Sequence, residues 1–140
     1  PDNSLISSDP SEYARTIEII KIFELYVEYQ ARYFYPSVFF GANQNLDNSE
    51  EIKVKISRGL NIIEKKAAFS PYVLGEFSYA DIYASLVLST TYEVCQKIYN
   101  WDIFQDFKKL AEVFKVINSR ETAKIIYDDI AKGMEAIKKS

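Results

Sequence analysis

The sequence predicts an all-helical domain of about five helices. Its 140 residues include only four Gly and four Pro, which fall between long stretches and not at the short, regular spacing of a strand-rich protein. Within those stretches, apolar residues recur every three or four positions, which is the period of an α-helix. Because 48% of the residues are hydrophobic, the chain is long enough for one buried core, and residues 1–140 are expected to form a single domain.

The first helix is predicted to begin after Asp9 and to run to about Phe34. Asp9 is suited to cap the helix and Pro10 to occupy its first position, whereas Pro36 and Gly41 follow as breakers. One apolar stripe contains Ile20, Phe23, Val27, Ala31 and Phe34. A second contains Ile19, Ile22, Tyr26, Tyr29 and Tyr33, and the polar strip that remains contains Lys21, Glu24, Glu28 and Arg32. With two apolar flanks, this helix is expected to contact partners on two sides.

A second helix is predicted from about Glu50 to Ala68, where Asn48 and Glu51 have the spacing of a capping box. Its apolar stripe consists of Ile52, Ile56, Leu60, Ile63 and Ala67. Gly59 lies inside this helix, where Gly costs about 1 kcal/mol relative to Ala. It therefore marks either a close crossing of two helices or a tolerated imperfection.

Three more helices complete the predicted domain. The third starts at Tyr79 and ends near Cys95, and its first half is apolar on almost every side, which predicts a position at the centre of the domain. The fourth follows Asp102, which has capping-box spacing to Gln105. Its apolar positions are Phe104, Phe107, Leu110, Phe114 and Ile117. Ser119 is expected to cap the fifth helix, whose apolar positions are Ile125, Ile126, Ile130 and Ile137.

Residues 70–82 form the most informative segment and read Ser-Pro-Tyr-Val-Leu-Gly-Glu-Phe-Ser-Tyr-Ala-Asp-Ile. Ser78 and Asp81 are spaced as a capping box in its Asp form, and the carboxylate lies in the first turn, where the helix dipole favours negative charge. Phe77 and Ile82 are spaced as a hydrophobic staple. These four residues are expected to fix the direction in which the chain enters its most buried helix.

This segment resembles the signature before the central helix of cytosolic, bacterial-type glutathione transferases, with Glu76 where that family usually has Asp. Two further stretches are similar to the family. Leu5 followed by Asp9-Pro10 resembles the linker between its two domains, and residues 104–107 resemble its Phe-Pro-x-Leu stretch with Gln105 in place of Pro. The resemblance implies a glutathione-transferase C-terminal-like helical bundle over residues 1–140, with residues 1–9 as the linker and the thioredoxin-like N-terminal domain absent.

The resemblance also implies a function. In the family, the thioredoxin-like domain binds the co-substrate glutathione and carries the activating residue, so no catalytic residue and no bound cofactor are expected in this chain. The helical domain supplies an apolar electrophile pocket, for which Tyr26, Tyr29 and Tyr33 are candidates. An acid of the partner subunit can meet the glutathione ammonium group, which makes Glu24 and Glu28 candidates. The alternatives are a core or interface stripe for the tyrosines and a solvated face for the acids.

The expected partners are the missing N-terminal domain and a second copy of the chain, which we expect to associate through the flank of the first helix. The sequence starts at Pro1 without Met, so we expect a fragment of a longer protein, inactive on its own. The competing function is a non-catalytic scaffold of the same fold, as in transcription regulators and translation-factor subunits. Residues preceding Pro1 would decide between the two functions.

Composition disfavours several other classes of function. No His is present, which excludes imidazole bases and His-ligated metals, and no metal site is expected. The net charge of -3, with both signs interleaved, disfavours nucleic-acid binding. No apolar run reaches the ~18 residues of a membrane span. Cys95 is the single cysteine and cannot form an intramolecular disulfide, which agrees with a cytoplasmic location; we expect it to be a core residue.

Overall fold

The computed structural model describes residues 4–138, so the first three residues of the predicted linker lie outside the described part of the chain. The helices of the described part are α1 (Pro10–Ile22), α2 (Tyr29–Ala31), α3 (Tyr35–Phe39), α4 (Ser49–Lys66), α5 (Tyr79–Tyr99), α6 (Ile103–Asp106), α7 (Lys108–Asn118) and α8 (Glu121–Lys138). Residues 4–138 contain no β-strand, only two isolated bridges near residues 72–76. The predicted all-α fold class is confirmed.

The first long helix starts as predicted and then departs from regular α geometry. The Asp9 carboxylate accepts hydrogen bonds from Ser11 N and Glu12 N, both at 2.9 Å. A π-helical turn, Phe23–Glu28, connects α1 to α2, and a 3₁₀ turn, Arg32–Phe34, connects α2 to α3. The predicted end near Phe34 is wrong, because the helical segment continues through α3 to Phe39. Pro36 does not break it, since it lies in the first turn of α3, where its missing N–H costs no hydrogen bond.

The core forms around α5, which packs against α1, the π-helical turn, α2, α3, α6 and α7. The buried positions of α5 are Ala80, Asp81, Ala84, Ser85, Val87, Leu88, Thr91, Val94 and Cys95. The first apolar stripe of the long helix, Ile20 to Phe34, is buried throughout. Its second stripe is divided: Ile19 and Ile22 are buried, whereas the three tyrosines are exposed.

Gly59 marks a close helix crossing. A Cβ atom added to it would lie 2.8 Å from the carbonyl oxygen of Tyr26 and 2.8 Å from Cγ2 of Val27. Both of those residues belong to the π-helical turn, so α4 and that turn touch at backbone distance. Of the two interpretations of Gly59, the structure supports the close crossing.

Two predicted caps are absent. Asn48 adopts a left-handed conformation (φ 59°) without a side-chain cap, and Glu51 pairs instead with Lys55 at 2.7 Å. The Ser119 hydroxyl donates to the carbonyl of Val116 at 2.8 Å, and the hydrogen bonds described for residues 4–138 include none in which it accepts from a backbone N–H of α8. Glu51 and Ser119 are each engaged by a neighbouring group, which competes with the helix start for the side chain.

The predicted fourth helix is divided at Phe107, whose backbone leaves helical geometry (φ -113°, ψ 76°) while its ring is buried. The Asp102 carboxylate caps α6 by accepting from Phe104 N at 2.9 Å. The last helix, α8, packs against α7 but leaves apolar side chains exposed, namely Ile125, Ile126, Ile130 and Ile137. Among residues 4–138, no helix combines the length and the apolar character needed to cross a membrane.

Candidate functional site

The entry to α5 is organised by the carboxylate of Asp81, which is fully buried. Oδ2 accepts hydrogen bonds from Ser78 N at 2.8 Å and from Ser78 Oγ at 3.1 Å. Oδ1 accepts from Val73 N at 2.8 Å. Asp81 N donates to the carbonyl of Ser78 at 3.1 Å. One carboxylate therefore connects the preceding loop to the first turn of the helix.

The loop before α5 is closed by further backbone contacts. Val73 is buried, and its carbonyl accepts from Ala68 N at 2.9 Å. Gly75 has a φ of 101°, which favours glycine, and its N–H donates to Tyr72 O. Burial raises the pKa of the Asp81 carboxyl, and the hydrogen bonds from Val73 and Ser78 limit that rise.

Phe77 and Ile82, the predicted staple, line the same groove beside the start of α5. Phe77 also packs edge-on against Tyr72, with 5.3 Å between ring centroids. The guanidinium carbon of Arg120 lies 3.9 Å from the centroid of the Phe77 ring. Both residues thus lie where the loop, α5 and the start of α8 meet, and their direct pairing stays a prediction.

The candidate electrophile-binding tyrosines form an exposed aromatic flank on the first long helix. Tyr26, Tyr29 and Tyr33 are 49%, 68% and 44% exposed. Leu25 beside them is 50% exposed, so the flank has both ring and aliphatic surface. We call these four residues the tyrosine flank. Its role in electrophile binding stays a prediction.

The two candidate acids differ in their surroundings. Glu28 is engaged inside the bundle: Oε1 accepts from Arg32 Nε at 3.0 Å and Nη2 at 2.7 Å, and Oε2 accepts from Tyr83 OH at 3.1 Å. Its side chain is only 16% exposed. Glu24 is paired with Lys21 at 2.5 Å, and its side chain is 38% exposed. Of the two acids, Glu24 is the more accessible to a ligand.

Sequence reasoning missed the partner of Glu28. Tyr83 lies in the apolar first half of the central helix, 55 positions from Glu28, so no local spacing indicates the pair. Burial, and then the negative charge of Glu28, raise the pKa of Tyr83 to about 12. Tyr35 and Thr90, joined at 2.9 Å, form a second missed contact between the long helix and α5.

The remaining reactive side chains are structural in character. Cys95 is fully buried, and burial raises the pKa of its thiol to about 12, so it is held as a thiol at neutral pH. Within the described residues, no group of three or more Cys, Asp or Glu side chains is placed to hold a metal ion. The exposed tyrosines of residues 4–138 include the three of the flank and also Tyr13 and Tyr79.

Comparison with known proteins gives one informative match. No protein-family model matches the chain. The chain is 28% identical over 127 residues to a glutathione S-transferase from Pseudomonas putida (strain F1), and the match covers 89% of the chain. It spans 58% of the length of that curated relative. The predicted resemblance to glutathione transferases is confirmed, and the all-helical structure is consistent with their C-terminal helical domain.

Proposed function

We propose that this chain is the helical C-terminal domain of a glutathione transferase. In the full-length protein it supplies the apolar electrophile pocket and part of the dimer interface for the conjugation of glutathione to electrophiles. The observation that carries the proposal is similarity to a glutathione S-transferase over 89% of the chain. The contacts of Asp81 with Val73 and Ser78 support it from the structure, since they join the resembling segment to the buried helix.

A thioredoxin-like domain is the proposed source of glutathione binding. The matched region spans 58% of the relative, which leaves room there for a further domain. That domain would hold glutathione and carry the Tyr, Ser or Cys that stabilises its thiolate. The proposed setting is the cytoplasm, which fits a chain with a single buried thiol.

The tyrosine flank is the proposed electrophile-binding surface. A tyrosine ring offers contact area to an apolar electrophile, and its hydroxyl can donate a hydrogen bond to negative charge that develops in the transition state. The exposure of Tyr26, Tyr29 and Tyr33 supports this role because their rings are not committed to the core. Packing a second domain against this flank would turn an exposed surface into a pocket.

Kinetics of the full-length protein test the role of the tyrosines. Tyr29→Phe and Tyr33→Phe keep the ring and remove the hydroxyl, so we expect kcat to fall about tenfold in at least one variant while the KM for the electrophile changes little. Tyr13→Phe, another exposed tyrosine of the same long helix, is the matched control. If both flank variants match the wild type in kcat and KM, the electrophile role is wrong.

Glu24 is the better candidate for contact with glutathione across a dimer. Its side chain is more exposed than that of Glu28, and within residues 4–138 its ion-pair partner is the surface residue Lys21. In the same kinetic series, Glu24→Gln is expected to raise the KM for glutathione several-fold and to leave the electrophile KM unchanged. An unchanged glutathione KM would assign Glu24 to a solvated face.

A further inference from the structure

A groove of about 220 Å³ lies where the first half of α5 meets the end of α7 and the start of α8. Its walls are mostly apolar. Ile82 and Leu86 line it from α5, Ile117 from α7 and Ile126 from α8. It contains none of the residues of the tyrosine flank. Pockets that bind drug-sized ligands usually have volumes of at least ~300 Å³, so the smaller volume of this groove suits a smaller ligand.

Arg120 brings a positive charge to this apolar groove. Its Nη1 donates to the hydroxyl of Tyr72 at 3.1 Å, and its guanidinium carbon lies 3.9 Å from the Phe77 ring centroid. Two neutral side chains therefore hold the guanidinium in place. Among residues 4–138, no carboxylate pairs with it. Its Nε is buried and has no acceptor in that part of the chain.

Two other polar groups of the groove, the hydroxyls of Ser85 and Tyr127, are hydrogen-bonded. The Ser85 hydroxyl, in a residue only 5% exposed, donates to Asn118 Oδ1 at 2.7 Å and lies 2.7 Å from the hydroxyl of Tyr127. Tyr127 OH is also 3.0 Å from the carbonyl of Ser85. The charge that lacks a counterpart is thus that of Arg120. A partly buried charge without a partner is unfavourable, and an anion in the groove would offset that cost.

We propose that this groove binds a small monocarboxylate with an apolar body. The carboxylate accepts from the guanidinium of Arg120, a residue that lines the groove and whose Nη1 is also hydrogen-bonded to the Tyr72 hydroxyl. The body packs between the isoleucines of α5, α7 and α8. This site is independent of the proposed electrophile surface, because the two share no residue.

Titration of the ¹⁵N-labelled chain with 4-methylbenzoate, followed by NMR, tests the proposal. The neutral isostere 4-methylbenzamide is the matched ligand control. We expect shift changes concentrated at the amides of Ile82, Leu86, Ala123 and Ile126, and a Kd for the carboxylate at least about tenfold lower than for the amide. Equal affinity for the two ligands, or shift changes confined to the tyrosine flank, would overturn the proposal.

Two pairs of variants separate charge from shape. Arg120→Gln is expected to remove the preference for the carboxylate, whereas Arg58→Gln, at an exposed site outside the groove, keeps it. Ala123→Leu fills the groove and is expected to weaken both ligands, whereas Ala136→Leu, at an exposed site of the same helix, does not. If Ala123→Leu binds as tightly as the wild type, the ligand is not in this groove.

The full-length protein gives a further outcome. There the carboxylate is expected to bind with an affinity similar to that for the 140-residue chain. If the chain binds the carboxylate and the full-length protein does not, the groove is covered by another segment of the longer protein, and the small-ligand proposal is wrong.

Discussion

Asp81 shows how a single residue sets local structure in this chain. Its carboxylate is removed from water, which by itself is unfavourable, and three donors from Val73 and Ser78 compensate for the lost hydration. The position in the first turn of α5 adds a favourable interaction with the helix dipole. The stabilisation therefore depends on an acceptor at this position and not on side-chain volume.

Asp81→Ala is expected to lower the free energy of unfolding by about 3 kcal/mol, because it leaves buried donors without an acceptor. Urea denaturation followed by circular dichroism measures the change. Asp128→Ala, at an exposed position of α8, is the control and should alter stability by less than about 0.5 kcal/mol. A loss below about 1 kcal/mol for Asp81→Ala would show that its hydrogen bonds do not hold the loop.

At the residue scale, the sequence predicts some hydrogen bonds between residues that are close along the chain, but not those between residues that are far apart along it. The Asp9 cap was predicted because donor and acceptor are only two or three positions apart. The same spacing misled at Asn48, which adopts a left-handed conformation and makes no side-chain cap. The bond between Glu28 and Tyr83 depends on how two helices pack, which no spacing along the chain encodes.

Among the elements, α4 and the π-helical turn cross at backbone distance beside Gly59. A π-helical turn is wider than an α-helical one and is often found at functional sites. Here it contains Glu24, Tyr26 and Glu28, all of them candidate site residues. Gly59 allows α4 to approach the Tyr26 carbonyl, so it helps to fix the segment from which the tyrosine flank projects.

Gly59→Ala is expected to destabilise the protein by about 1–3 kcal/mol, because the new methyl group would overlap Tyr26 and Val27. Where no neighbouring group obstructs the new methyl group, replacing a helical Gly with Ala stabilises the protein. Gly133→Ala provides that control, since its added Cβ meets nothing within 4 Å, and it should stabilise by about 0.5–1 kcal/mol. Thermal or urea unfolding of both variants measures the contrast. A Gly59→Ala variant as stable as Gly133→Ala would contradict the close crossing.

The predicted helices agree with the structure where the apolar periodicity and the residues that start or end a helix indicate the same boundary. The start of α5 at Tyr79 was predicted, and its end was placed too early, near Cys95, because the apolar pattern weakens before the left-handed Asn100 ends the helix. The division of the fourth helix at Phe107 was not predicted. No breaker is present there, so the pattern of the sequence carries no signal for the non-helical backbone of the buried Phe107.

At the scale of the whole molecule, the exposed apolar residues of 4–138 include two sets on long helices, the tyrosine flank on the first long helix and the isoleucine positions of α8. Their exposure could not be predicted, since their periodicity equals that of buried stripes such as Ile52 to Ile63. Exposed apolar surface of this kind favours association with another domain or another copy. Of the two surfaces, the tyrosine flank is the proposed contact between copies of the 140-residue chain, in which the proposed second domain does not cover it.

Sedimentation velocity of the 140-residue chain is expected to show concentration-dependent self-association. Tyr29→Glu puts a charge on the most exposed ring of the flank and should weaken the association at least about tenfold. Ile125→Glu, which makes a similar change on α8, is the control and should leave it unchanged. A clean monomer at high concentration, or a larger effect of Ile125→Glu, would contradict association through the flank.

The central proposal is that this chain is one half of a glutathione transferase whose other half binds glutathione. Retention on immobilised glutathione tests it most directly, with the full-length protein and the 140-residue chain applied to the same column. We expect the full-length protein to be retained and to elute with free glutathione, while the chain alone flows through. A full-length protein that also flows through would contradict the proposal and favour a scaffold of the same fold.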